Sequence, residues 1–262
     1  MAWFMGIDIG SMYGKGVIVR DSDIHAYYVL PSGANYQVAA EKIREELLTK
    51  LDLSRDDIKS TTATGVGATD VHFAGHNISD YICTARGINS IFPQAKSVID
   101  VAGLSMKVIQ VDDKGRVMNF LTSERCAAGS GRFISVIANV LRIDLEDFGA
   151  LSLKSQNPVT FSAGCAVFAE TEAITRVSEG IPKEDIAAGV NRQLADKAYS
   201  MLKRIKMEGP FAICGGGALN IGLIRSMEAK LGEPVLMPPQ PQLVAAIGAA
   251  IISRQRDITV ID

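Results

Sequence analysis

The positions in this chain whose types and spacing could do chemistry are two Asp–turn–Lys segments, one glycine run and two cysteines among small residues. The first segment is Ile7-Asp8-Ile9-Gly10-Ser11-Met12-Tyr13-Gly14-Lys15. Small residues there let backbone N–H groups come close to phosphate oxygens, and Ser11 can add a hydroxyl. Lys15 can supply a positive charge, while Asp8 can hold Mg²⁺ through water. The second segment, Ile99-Asp100-Val101-Ala102-Gly103-Leu104-Ser105-Met106-Lys107, repeats the plan. Gly215-Gly216-Gly217-Ala218, between an expected strand and an expected helix, offers another surface of backbone donors for an anion. Neither G-x-x-x-x-G-K-[ST] nor a G-x-G-x-x-G in a βαβ frame occurs, which excludes a P-loop and a dinucleotide fingerprint. One strand ending in Asp and Gly is also an ordinary turn. Two copies at matching spacing, with the glycine turn added, point to nucleotide binding.

Cys126 precedes Ala127-Ala128-Gly129-Ser130-Gly131, and Cys165 follows Phe161-Ser162-Ala163-Gly164. Each sits at an expected helix start, where unpaired N–H groups and the helix dipole stabilise a thiolate. Two readings stay open from the residues: inert helix-start thiols, or ligands of a metal centre shared between chains. Two thiolates cannot complete a [4Fe–4S] cluster, which takes four, but a two-fold dimer would bring a pair from each subunit to one axis. Cys83, in a helical pattern, and Cys214, ending an apolar strand, read as small buried hydrophobes.

The elements that must position these residues form a duplication. Each Asp–Lys segment is a strand, a turn and a second strand, continued by a third at His25 to Leu30 and at Arg116 to Thr122. Helices are expected over 36–50, 78–92, 130–142, 166–178, 183–206, 219–231 and 243–254, with strands at 59–64, 210–214 and near 234–237. The sum is an α/β chain with two related lobes around a nucleotide cleft: residues 1–95 first, 96–242 second, and helix 243–262 returning to the first. His72 and His76 have metal-like spacing, but Gly75 argues against a helix, so a loop role is expected. Glu170 and Glu172, after Cys165, read equally as water-orienting groups and as acids favourable in a helix's first turns.

Composition narrows the class. With 262 residues, 47% hydrophobic, 21% charged and a net charge of −2, the chain has the makeup of an ordinary globular protein and no basic footprint for nucleic acid. No apolar run reaches the roughly 20 residues of a membrane span, and the start reads as a strand rather than a leader, so a cytoplasmic setting is expected. Four cysteines are too few for a disulfide framework.

Together the paired loops and the glycine turn resemble the actin, sugar kinase and Hsp70 superfamily, a duplicated RNase H-like ATPase fold. Cys126-Ala127-Ala128-Gly129-Ser130-Gly131-Arg132-Phe133 with Cys165-Ala166-Val167-Phe168-Ala169-Glu170 resembles one family within it. That family comprises the ATP-dependent activators of 2-hydroxyacyl-CoA dehydratases and the ATPase subunits of benzoyl-CoA reductase. The resemblance implies ATP and Mg²⁺ as ligands and a dimer, of like or related subunits, bridged by one [4Fe–4S] cluster on Cys126 and Cys165. It implies low-potential electrons delivered to a CoA-thioester dehydratase or reductase, with reduced ferredoxin or flavodoxin upstream. Nucleotide-dependent lobe closure would rotate the helices that start after the cysteines. By the same resemblance Asp8 and Lys15 become catalytic. Ser11, Met12, Tyr13, Gly14, Gly103, Leu104, Gly216, Gly217, Ala218, Gln242 and Val244 become nucleotide contacts. One departure stands out: activators carry Gln and Asp where this chain has Leu104 and Ser105, and one benzoyl-CoA reductase ATPase subunit has a similar Ala-Leu turn. Slow hydrolysis, dependence on a partner subunit, or binding without turnover follows as an expectation. A small-molecule kinase of the same fold, or a nucleotide-regulated interaction protein, would leave the cysteines unexplained.

Overall fold

The computed structural model describes residues 2–21, 23–123, 129–162 and 166–259. Cys126 and Cys165 lie outside the described residues. The chain divides into two compact units, the first comprising 1–94, 111–118 and 243–262, the second 95–110 and 119–242.

In the first unit β1 (Trp3–Ile9) pairs antiparallel with β2 (Tyr13–Arg20), which pairs with β3 (Asp23–Pro31). On its other edge β1 pairs parallel with β4 (Ile58–Thr64), and the two-residue β5 (His76–Asn77) completes the order β3-β2-β1-β4-β5. Strand alternation puts Met5, Ile7 and Ile9 on one face, buried against Ile43 and Leu47 of α1 (Tyr36–Leu51). Phe4 faces the other way, with Val17 and Val19, onto α8 (Val244–Thr259). Burial on both faces explains why β1 reads as an apolar run rather than an alternation.

That second face is close-packed through glycine. A Cβ at Gly6 would stand 2.0 Å from the Ala246 carbonyl oxygen. One at Gly248 would stand 1.7 Å from the carbonyl oxygen of Cys83 in α2 (Asp80–Ile91). Only hydrogen at these positions lets α8 lie flat between strand and helix.

The second unit repeats the first four strands. β6 (Ser97–Val101) pairs antiparallel with β7 (Met106–Val111) and parallel with β9 (Phe211–Cys214), and β8 (Val117–Thr122) lies outside β7. The order β8-β7-β6-β9 is the counterpart of β3-β2-β1-β4. Its core joins Ile99, Val101 and Val108 of the sheet to Phe133 and Ile137 of α3 (Gly131–Leu141), Phe148 of α4 (Phe148–Ser152) and Ala169 of α5 (Ala166–Ser178). Val190 and Leu194 of α6 (Lys183–Arg204) and Leu223 and Met227 of α7 (Ile221–Leu231) complete it.

The expected helices and strands are present within a few residues at each end. The expected strand near 234–237 is a single bridge, Ala212 to Leu236. α4 and β5 were not anticipated; five and two residues are too short to carry a period. His72 and His76 do not share a helix, since His76 begins β5. Among the described residues no helix is long and apolar enough to cross a membrane.

Candidate nucleotide and cluster site

In the first unit the β1–β2 hairpin closes on Ser11 and Met12, with the Gly10 amide donating to the Tyr13 carbonyl at 3.1 Å. The buried Ser32 hydroxyl donates to the Gly10 carbonyl at 2.6 Å, and its amide donates to Met12 at 3.0 Å, which fixes the loop from behind. Asp8 and Lys15 face each other in register, and Lys15 Nζ lies 2.9 Å from Asp8 Oδ2. Both side chains are mostly buried, at 10% exposure for Asp8 and 16% for Lys15, so the pair feels a lower dielectric than a surface ion pair does. Beyond β4, Gly65 takes φ +87°, and a Cβ there would stand 2.5 Å from Asp8 Oδ1.

The second unit builds the same arrangement. Asp100 and Lys107 are in register, with Lys107 Nζ 3.8 Å from Asp100 Oδ2 and donating to Ser105 Oγ at 3.4 Å. Here the Ala102 amide closes the loop onto the Ser105 carbonyl at 2.9 Å. Gly215 takes φ +83°, and a Cβ there would again stand 2.5 Å from an aspartate oxygen, Asp100 Oδ1. The likeness extends to Gly67 and Gly217: a Cβ on either would strike Ile9 or Val101, the residue after each aspartate. Reading the sequence missed Gly65 and Gly67 as partners of Gly215 and Gly217. The signal was Thr64-Gly65-Val66-Gly67 at the end of β4.

The resemblance-derived positions fall into groups. Ser11 and Met12 form the first loop tip, with Tyr13 exposed beside it. Gly14 turns to the core, where a Cβ would meet Ile43 Cδ1 at 2.9 Å, so its place is packing. Gly103 and exposed Leu104 form the second loop tip. The Gly103 carbonyl and that of Ala102 accept the first two α3 amides, Arg132 and Gly131, each at 2.9 Å. Gly216 faces open space, while Gly217 and Ala218 are buried in a 3₁₀ turn, Gly216–Leu219. The turn does not open a helix directly, as the sequence suggested; α7 starts afterwards, capped by the Asn220 side chain on the Leu223 amide. Gly215 donates to the Pro241 carbonyl at 2.9 Å, which holds the 240–242 stretch beside the glycine turn. There Gln242 donates to Gln240 at 3.0 Å, while its buried Oε1 has no hydrogen-bond partner among the described residues. Val244 belongs to the first unit and is buried, its carbonyl oxygen 2.1 Å from where a Gly87 Cβ would be; the structure assigns it to packing against α2.

Chemically, each unit presents a carboxylate, an ammonium and a left-handed glycine at the end of a parallel strand pair. The ammonium and loop donors suit phosphate oxygens, and the carboxylate suits a hydrated divalent cation. The unsatisfied Gln242 acceptor suits a ligand N–H donor. Among the described residues no group of three or more metal-ligating side chains occurs.

Cys83 and Cys214 are both free and buried. Burial pushes the Cys83 thiol up to about 12, against the opposing pull of the Thr64 hydroxyl; the negative charges of Asp8 and Asp80 push the same way as burial. Burial and then Asp100 raise Cys214 well above the usual thiol value, with Lys107 opposing. The folded state therefore holds the Cys83 proton more tightly than the unfolded chain. Its contribution to stability is full below about pH 9 and is lost as pH rises towards about 12. Denaturant titrations at about pH 8 and about pH 11 are expected to show a larger loss for the parent than for Cys83→Ala. Equal losses would refute the assignment.

A match to the BadF/BadG/BcrA/BcrD ATPase family spans residues 5–253. The chain is 40% identical over 248 residues to the 2-hydroxyisocaproyl-CoA dehydratase activator of Clostridioides difficile, covering 94% of this chain and 93% of that one. It is 32% identical to a component of the benzoyl-CoA reductase of Thauera aromatica, covering 94% and 91%. Among solved structures, the activator of the 2-hydroxyisocaproyl-CoA dehydratase from Clostridium difficile with bound ADPNP superposes with a TM-score of 0.93 at 37% identity. That superposition covers 99% of this chain and 97% of the other.

Proposed function

We propose, since the chain belongs to the BadF/BadG/BcrA/BcrD ATPase family, that it is an ATP-dependent electron donor to a 2-hydroxyacyl-CoA dehydratase or a benzoyl-CoA reductase-type partner. The observation that carries the reading is the doubled Asp–Lys hairpin, each copy backed by a left-handed glycine. In this reading Lys15 and the Ser11–Met12 loop bind phosphate oxygens, and Asp8 orients a hydrated Mg²⁺. Gly216 leaves room for the nucleotide to approach the backbone, and Gln242 Oε1 accepts a ligand N–H.

Cys126 and Cys165 from each of two subunits would hold one [4Fe–4S] cluster, which would supply single electrons at low potential. Support comes from the elements beside them in sequence. α5 begins at Ala166, the residue after Cys165, and exposes Phe168 at 69%, an apolar surface that suits a second subunit. A reduced ferredoxin or flavodoxin would supply each electron. The first measurement is iron and acid-labile sulfide in anaerobically purified protein. About four of each per dimer supports the reading, and none after reconstitution overturns it.

A second reading, nucleotide binding with weak hydrolysis, is favoured by the second loop. Leu104 offers no polar atom, and the Ser105 hydroxyl is engaged with Lys107. Neither positions water as an amide and a carboxylate do. Leu104→Gln with Ser105→Asp is expected to raise ATP turnover about tenfold or more, consistent with one positioned acid–base group. Unchanged turnover in steady-state phosphate release would show that the second loop does not limit the rate.

A further inference from the structure

Ser152 of α4, Asn191 of α6 and Asn220 before α7 meet inside the second unit, and all three are buried. The Asn191 carboxamide bridges the other two. Its Nδ2 donates to Ser152 Oγ at 2.9 Å, and its Oδ1 accepts from Asn220 Nδ2 at 2.8 Å. The chain of bonds continues at both ends. The Ser152 hydroxyl donates to the Gly149 carbonyl at 2.7 Å, and Asn220 Oδ1 accepts from the Leu223 amide at 3.1 Å. Glycines make the room. A Cβ at Gly222 would stand 2.0 Å from Ser152 Oγ and 2.5 Å from Asn191 Nδ2, and one at Gly149 would stand 2.7 Å from Asn220 Oδ1.

Around this network the core is apolar, with Val190 and Leu194 flanking Asn191 on α6. A carboxamide in such a place is unfavourable unless its bonds are made. A connected buried network, once satisfied, fixes one arrangement of the groups that it joins. Here it fixes Asn220. The Asn220 amide donates to the Gly217 carbonyl at 3.1 Å and so closes the Gly216–Leu219 turn, while its side chain caps α7. The turn is thereby tied to α6 as well as to α7. At its head, Gly216 faces open space, and the Gly215 amide carries the 240–242 stretch along with it.

We infer that Asn191 is a positioning residue: through Asn220 it holds the Gly216–Leu219 turn in the orientation that receives the nucleotide. Asn191 is fully buried and acts through its neighbour rather than by contact with a ligand. The inference rests on the nucleotide reading of that turn.

The test compares the two arms of the network. Ser152→Ala breaks the arm to α4 and leaves the Asn191–Asn220 bond, whereas Asn191→Leu breaks the bond to Asn220. Asn220→Ser keeps a side-chain oxygen for the α7 cap but is too short to reach Asn191. ATP is titrated calorimetrically into the full chain, well below the lowest melting midpoint, where lost stability alone does not change the affinity of folded protein. Ser152→Ala is expected to melt lower and bind ATP within about twofold of the parent. Asn191→Leu and Asn220→Ser are expected to bind it about tenfold more weakly, the scale of one lost hydrogen bond. The inference is overturned if Asn191→Leu binds ATP as the parent does, or if Ser152→Ala loses as much affinity as Asn191→Leu. Should Asn191→Leu fail to fold, parent-like binding by Asn220→Ser overturns it equally. A parent that binds no ATP removes the nucleotide reading itself, and this inference with it.

Discussion

Cys126→Ala is expected to purify anaerobically with iron and acid-labile sulfide near zero while binding ATP as the parent does. The reason is arithmetic. A [4Fe–4S] cluster takes four thiolates, and the proposed dimer supplies two per subunit, so removing one from each leaves half the set. The other cysteines cannot substitute. Cys83 is buried and pushed up to about 12, and Cys214 is buried in β9 beside Asp100, so neither thiol ionises near neutral pH. A metal ligand must be the thiolate, and each would have to leave a packed core to reach a shared site. ATP affinity is the internal control, since none of the proposed nucleotide contacts is a cysteine. If the variant keeps its iron, Cys126 is not a ligand. If the parent too lacks iron after reconstitution, electron transfer falls and phosphoryl transfer to a hydroxyl acceptor becomes the chemistry to assay.

Much of the fold was legible because its signals are periodic. α1 and α6 carry apolar positions at helical spacing over 16 and 22 residues, and the Asp–turn–Lys segments repeat almost in register. What escaped lacks a period or depends on tertiary contact. β5 is two residues paired to β4, visible only once Thr62 and His76 are neighbours. α4 is a single turn-and-a-half held by packing of Phe148. The glycine equivalence is subtler. Gly65 and Gly215 were each readable as turns, yet what unites them is an aspartate oxygen 2.5 Å from where a Cβ would sit, a distance set by two different strands. The site was legible to the same depth. Asp8 and Lys15 could be picked out by their repeated spacing, whereas their ion pair became visible only with the antiparallel register of β1 and β2. The inward packing of Gly14 and Val244 was not legible, because a motif records which residues cluster and not which way each faces.

Lys15→Ala is expected to cost both stability and nucleotide affinity, and the two losses can be separated. Breaking the pair leaves the Asp8 carboxylate, only 10% exposed, without its cation, and an uncompensated charge of that kind destabilises by about 3 kcal/mol. Losing a charge-assisted bond to phosphate should weaken ATP binding by a further ~100-fold, or about 3 kcal/mol. A double variant, Asp8→Asn with Lys15→Met, removes both charges and keeps both shapes. Its denaturation midpoint is expected to return close to the parent's, because a buried ion pair exchanged for a neutral pair of similar volume is often near neutral in stability. Its ATP affinity is expected to stay as low as that of Lys15→Ala. Recovery of both would make the Asp8–Lys15 pair a structural element and move the phosphate site elsewhere. The equivalent change at Lys107 sharpens the contrast. Its ammonium stands 3.8 Å from Asp100 and is shared with Ser105, so the second pair is the looser of the two. Lys107→Ala should therefore cost less stability than Lys15→Ala does. A larger loss in the second unit would mean that its carboxylate, and not the first, is the more tightly held.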